Sequence, residues 1–159
     1  MQRLYMTINI NFVIMKTIIK NILLVDDSPN DVTLIKSALG NAHLANEIIV
    51  AEDGEEALDF LYKRGKFANY DGELPVFILL DIKMPLMDGI EVLKIIRADA
   101  TFNKVPVIML TSSRDTNDLQ DCYDNGANSF VVKPVNIGDF VEVVKELGQY
   151  WVVINELPV

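Results

Sequence analysis

Apolar residues in this chain gather in short, nearly continuous runs at positions 20–25, 47–51, 77–80, 105–110 and 129–132. Runs of that length without alternation are the mark of strands covered on both faces. Between them, apolar residues recur every three or four positions, the spacing of a helix with one buried side. After the first run come Val32, Ile35, Ala38 and Leu39, with Asp27 or Ser28 as cap, Pro29 at the start and Gly40 as stop. Gly54-Glu55-Glu56 opens a second helix that turns Ala57, Phe60 and Leu61 inward. A third spans 89–98 with Ile90, Leu93 and Ile96. A fourth carries Leu119, Cys122 and Tyr123 and ends at Gly126. The last runs from 137 to about 153, with Phe140, Val141, Val144, Leu147 and Trp151 inward. Residues 64–75 hold two glycines and a proline and read as a loop longer than most in such folds. Strand and helix alternate five times, which predicts an α/β fold with a parallel sheet between two layers of helices.

Composition narrows the classes. The chain has 159 residues, half of them hydrophobic, enough for one domain with its own core. A net charge of −9 argues against a nucleic-acid surface, which needs a basic patch. The single cysteine, Cys122, excludes an internal disulfide framework and agrees with a reducing cytoplasm. Residues 1–19 are apolar in part, but Arg3, Asn9, Asn11 and Lys16 interrupt them short of the roughly 20 residues a membrane span needs. They read as an N-terminal extension to a domain over 20–154, followed by a tail over 155–159, with no membrane partner.

Four predicted strands end on polar residues. Asp26 and Asp27 follow the first, Asp81 the third, Thr111-Ser112 the fourth and Lys133 the fifth. Parallel strands share a direction, so these residues meet at one edge of the sheet, where open α/β sheets bind ligands. Singly, each has a plain structural reading: a cap, a turn or a solvated end. Together they make a pocket of three carboxylates, a hydroxyl and an ammonium. Three close carboxylates repel one another and raise each other's pKa, which a hard dication relieves. Mg²⁺ suits oxygen ligands and keeps coordination open for a phosphate. A carboxylate oxygen can attack phosphorus, and cations on the equatorial oxygens assist it.

With those residues in order, the sequence resembles the receiver domain of two-component response regulators over about residues 21–148. The resemblance implies a flavodoxin-like (βα)5 doubly wound sheet in the order 2-1-3-4-5. It makes Asp81 the phosphoacceptor, supplied by a histidine kinase. Asp27 becomes a direct Mg²⁺ ligand, Asp26 acts mainly through water, and the Lys83 carbonyl completes the set. Thr111 and Phe130 become the switch pair, with Ser112 beside Thr111, and Lys133 the phosphate partner. Lys133–Pro134 is implied to be a cis peptide. The output is a changed face on helix four, strand five and helix five, offered to a partner, a phosphotransfer protein or a second copy. The loop over 65–74 and the ending Gln149-Tyr150-Trp151 resemble more narrowly the small stand-alone regulators of bacterial phytochromes.

Three rivals stand beside this reading. A phosphatase of the haloacid dehalogenase type needs an acid two places after its nucleophile, where this chain has Lys83. A receiver-like module that is never phosphorylated would lack an acid, the threonine or the lysine, and all are present. A flavodoxin-type carrier would not set acids after its first strand, where they repel phosphate. The Lys83 side chain is expected to overhang the phosphate. His43, the only histidine, reads as a loop residue and Cys122 as core.

Overall fold

The computed structural model describes residues 19–157. The extension read over 1–19 therefore lies outside the described residues, except for Ile19, as does the end of the tail. The elements follow the predicted alternation: β1 (Ile22–Val25), α1 (Pro29–Asn41), β2 (Ile48–Ala51), α2 (Gly54–Leu61), β3 (Phe77–Leu80), α3 (Gly89–Ala98), β4 (Val107–Thr111), α4 (Thr116–Asp124), β5 (Ser129–Val132) and α5 (Ile137–Gln149). All strand pairs are parallel, in the order β2-β1-β3-β4-β5.

The unbroken apolar runs are explained by two cores. Leu23, Val25, Ile78, Leu80, Val107 and Met109 point to one face and pack under α2 and α3, with Cys122 of α4. Ile22, Leu24, Phe77, Leu79, Ile108 and Leu110 point to the other, under α1 and α5. Successive strand residues alternate in direction, so a strand with helices on both sides must be apolar throughout. β1, β3 and β4 are fully buried, whereas the edge strands β2 and β5 are mostly half-buried.

Caps fix where the helices begin. Ser28 caps α1 with Pro29 as its first residue, and Asp53 caps α2. Asp88 and Glu91 form a reciprocal capping box on α3, satisfying two backbone donors at once. Gly89, the first residue of α3, packs against the backbone carbonyl of Asp81, where a Cβ could not fit. The loop after β3 and α3 are thereby locked together.

Several boundaries differ from those read in the sequence. α1 continues through Gly40 to Asn41, and the left-handed residue after it is His43, at φ 55°. β4 begins at Val107 and includes Thr111. α5 ends at Gln149 and passes into a single π-helical turn, Tyr150–Ile154. That turn splits the aromatic pair: Trp151 is half-buried against the α1–α5 core and Tyr150 is exposed. The long loop holds one 3₁₀ turn, Gly65–Phe67, and packs Phe67 and Tyr70 around Phe60. No described helix is long and apolar enough to cross a membrane.

Candidate phosphoacceptor and metal site

Register places the acids. Val25 pairs with Leu80, so Asp26 and Asp81 are the next residues on neighbouring strands. The backbone ladder runs on into them: the Asp81 N–H donates to the Val25 carbonyl at 3.0 Å and the Asp26 N–H to Ala51 at 3.1 Å. One strand further, Thr111 ends β4, and the Lys133 N–H donates to its carbonyl at 2.7 Å. The four positions thus stand side by side at the carboxyl edge of the sheet, as the sequence predicts.

Asp26, Asp81, Thr111 and Lys133 are the polar residues buried among otherwise apolar ones, whereas Asp27 is exposed. Each of Asp26, Asp27 and Asp81 offers a carboxylate oxygen within 4.8 Å of the others. Burial pushes the Asp81 carboxyl above its ordinary value; Lys133 pulls against this, Asp26 adds to it, and the polar Thr111 side chain nearby lowers it. Burial likewise raises Asp26, opposed by its hydrogen bond from Lys133. Burial works against the Lys133 charge, but hydrogen bonds to Asp26 and Asp31 outweigh it and hold its pKa up. Two buried carboxyls with raised pKa values beside a third are a donor set short of positive charge. A hard dication with oxygen preference fits it.

Orientation of the Asp81 carboxylate is fixed locally. Asp81 Oδ1 accepts from the Ile82 N–H at 2.8 Å, and Oδ2 faces the Lys133 ammonium at 3.8 Å. The Thr111 hydroxyl oxygen also accepts from the Ser113 N–H at 3.2 Å, tying it to the start of the β4–α4 loop. Phe130 is half-buried on β5, opposite Met109. Ser112 is exposed; Ser113 is the serine bonded to Thr111.

Two expectations are corrected here. Lys133–Pro134 is trans, since no peptide bond among the described residues is cis. A trans X–Pro bond is the lower-energy form by about 0.5–1 kcal/mol, and from it Lys133 reaches its carboxylates directly. The Lys83 side chain does not overhang Asp81. It turns to α4, with Nζ 2.9 Å from Asp118 Oδ2, and is itself 66% exposed, in water rather than over a buried pocket.

One site residue escapes the sequence reading. Asp31, in the first turn of α1, binds the Lys133 ammonium at 2.7 Å. Its only signal is an acid one helical turn beyond Asp27, which reads equally well as a first-turn residue that suits the helix dipole.

Comparison with known proteins agrees with this geometry. The family model of the response regulator receiver domain matches residues 22–145. Response regulator Rcp1 of Synechocystis is 33% identical over 139 residues, covering 87% of this chain and 93% of that protein. The crystal structure of the phosphorylated cyanobacterial phytochrome response regulator RcpA superposes with a TM-score of 0.83 at 35% identity, covering 89% of this chain and 99% of that one. The Mn²⁺-bound form of Rcp1 gives 0.81 at 33% identity, covering 88% and 99%.

Proposed function

The chain belongs to the response regulator receiver family, and on that premise we propose that Asp81 accepts a phosphoryl group from the phosphohistidine of a histidine kinase. The carrying observation is the convergence of three carboxylates within 4.8 Å, with the Lys133 ammonium 3.8 Å from one of them. An Asp81 oxygen attacks phosphorus, the P–O bond forms as the P–N bond breaks, and its electron pair returns to the histidine nitrogen, which takes a proton. Mg²⁺ held by Asp26, Asp27, Asp81 and the Lys83 carbonyl would supply positive charge to the equatorial phosphoryl oxygens. The manganese-bound form of Rcp1 supports such a dication.

This chain's own residues do the remainder. Ile82 N–H holds Asp81 Oδ1, which leaves the other oxygen as nucleophile. Lys133 neutralises charge at the transferring group. Thr111, bonded to Ser113 at the end of β4, turns its hydroxyl to a phosphoryl oxygen, which draws Ser113 and the β4–α4 loop with it. Phe130 moves into the space vacated. Leu119 and Tyr123 of α4 and Tyr150 after α5 are exposed near that face. A partner, a phosphotransfer protein or a second copy would read the altered surface, as a population shift toward the form that phosphate binds better. Likeness to Rcp1 and RcpA supports a phytochrome-type kinase as donor.

Phosphotransfer from purified, labelled histidine kinases of the source organism tests this. The reading expects rapid transfer from one kinase, of phytochrome type, to wild type and none to Asp81→Asn. Transfer to neither, or to both, contradicts it.

A further inference from the structure

Lys133 carries three N–H donors, and the structure shows where two of them go. Nζ stands 2.8 Å from Asp26 Oδ2 and 2.7 Å from Asp31 Oδ2, but 3.8 Å from Asp81 Oδ2, beyond hydrogen-bond reach. The lysine's shortest contact is therefore with an acid of α1 and not with the acceptor. Ser28 Oγ accepts from the Asp31 N–H, so Asp31 is the third residue of a capped helix. Its negative charge is favoured there by the helix dipole.

We propose that Asp31 is a positioning residue for the reaction at Asp81: it holds the Lys133 ammonium off the acceptor carboxylate until a phosphoryl group takes its place. The inference rests on the phosphoacceptor reading of Asp81. Burial decides which partner is surrendered. The Asp26 side chain is 2% exposed and that of Asp31 is 29% exposed. Leaving a buried carboxylate unpaired is costly, whereas water can replace a lysine at a partly exposed one. An incoming phosphoryl group brings a charge of about −2 and three acceptor oxygens, so it outcompetes Asp31 for the ammonium. No covalent bond changes at Asp31; one charge-assisted hydrogen bond is exchanged for another. In the resting protein the arrangement keeps Asp81 Oδ2 free of a direct lysine bond, and so free to act as nucleophile.

The test titrates beryllofluoride, an inert phosphoryl stand-in, into the full chain at saturating Mg²⁺ by calorimetry. Removing the competing charge in Asp31→Asn should tighten binding about three- to tenfold, the value of a charge-assisted hydrogen bond discounted for exposure. Asp31→Glu, which keeps the charge, should stay near wild type. Glu52 lines a cavity with Asp26 and Asp27, while the ion partners of Lys133 among the described residues are Asp26, Asp31 and Asp81. Glu52→Gln should therefore change binding by less than about twofold, as a screened surface charge. A helix damaged by the substitution would bind more weakly and melt earlier, opposite to the predicted gain. The proposal is overturned if Asp31→Asn binds no tighter than wild type, or if Glu52→Gln matches its gain. Wild type that binds no beryllofluoride would remove the acceptor reading itself, and this inference with it.

Discussion

The Lys133 ammonium stands 3.8 Å from the Asp81 carboxylate, across the end of an intervening strand. Asp81 follows β3 and Lys133 follows β5, so β4 lies between them and ends at Thr111. A charge moved onto Asp81 is therefore felt at once by the residue that ends β4 and by the one that follows β5. Those two strands lead into α4 and α5.

Removing the Thr111 hydroxyl should separate acceptance from response. Thr111→Val keeps the shape but leaves the Ser113 N–H without its acceptor. A loss of about 1 kcal/mol in stability is expected from one missing hydrogen bond. Labelling by acetyl phosphate should persist, while the phosphate-induced NMR shifts of Phe130 and the β4–α4 loop should vanish. Full shifts in the variant would show that coupling runs elsewhere.

Metal dependence should reside in an exposed side chain. Asp27 is on the surface, so Asp27→Ala should alter the metal-free stability by no more than about 0.5 kcal/mol. Wild type should gain about 2.7 kcal/mol when Mg²⁺ reaches 100 times its dissociation constant, and the variant should gain none. Thermal melts with and without Mg²⁺ read both quantities. An unchanged Mg²⁺ effect in Asp27→Ala would remove it from the ligand set.

The raised pKa of Asp81 has a stability signature. Burial makes the folded protein hold that proton more tightly than the unfolded chain. Stability from this group is then present below its unfolded value of 3.8 and is lost as pH rises through the raised folded value. Asp81→Asn lacks the loss, and its amide oxygen can still accept from Ile82. In chelator, the variant should melt above wild type at pH 7, and the gap should close as pH falls toward 3.8. A gap independent of pH would contradict the buried-charge account.

Gly89→Ala should cost about 1–3 kcal/mol or more, as overpacking against rigid backbone does. The new methyl would collide with the Asp81 carbonyl, so the loop after β3 must shift and labelling should slow. Denaturant melts and a labelling time course check the two effects together. Wild-type stability would mean that the loop and α3 are less tightly locked than the geometry shows.

Much of this site was legible because parallel strands convert sequence order into position. Each apolar run ends where the sheet ends, and Asp26, Asp27, Asp81, Thr111 and Lys133 were found from that alone. Side-chain direction was not legible. Lys83 stands two places after Asp81 yet turns to Asp118 on α4, a choice made by tertiary neighbours. Asp31 was hidden because a first-turn acid is so common in helices that nothing in the sequence ties it to Lys133. Gly40 read as a helix stop, but the left-handed turn falls at His43; an exposed glycine with open space around it weakens a helix without ending it. The trans form of Lys133–Pro134 shows the limit of carrying a family feature over by position.

The most direct test of the central claim is the intact mass of the protein after acetyl phosphate and Mg²⁺, followed by peptide mapping. Wild type should gain the mass of one phosphoryl group, on the peptide that contains Asp81, and Asp81→Asn should gain none. A wild type of unchanged mass, or a phosphoryl group mapped to any other residue, would contradict the account.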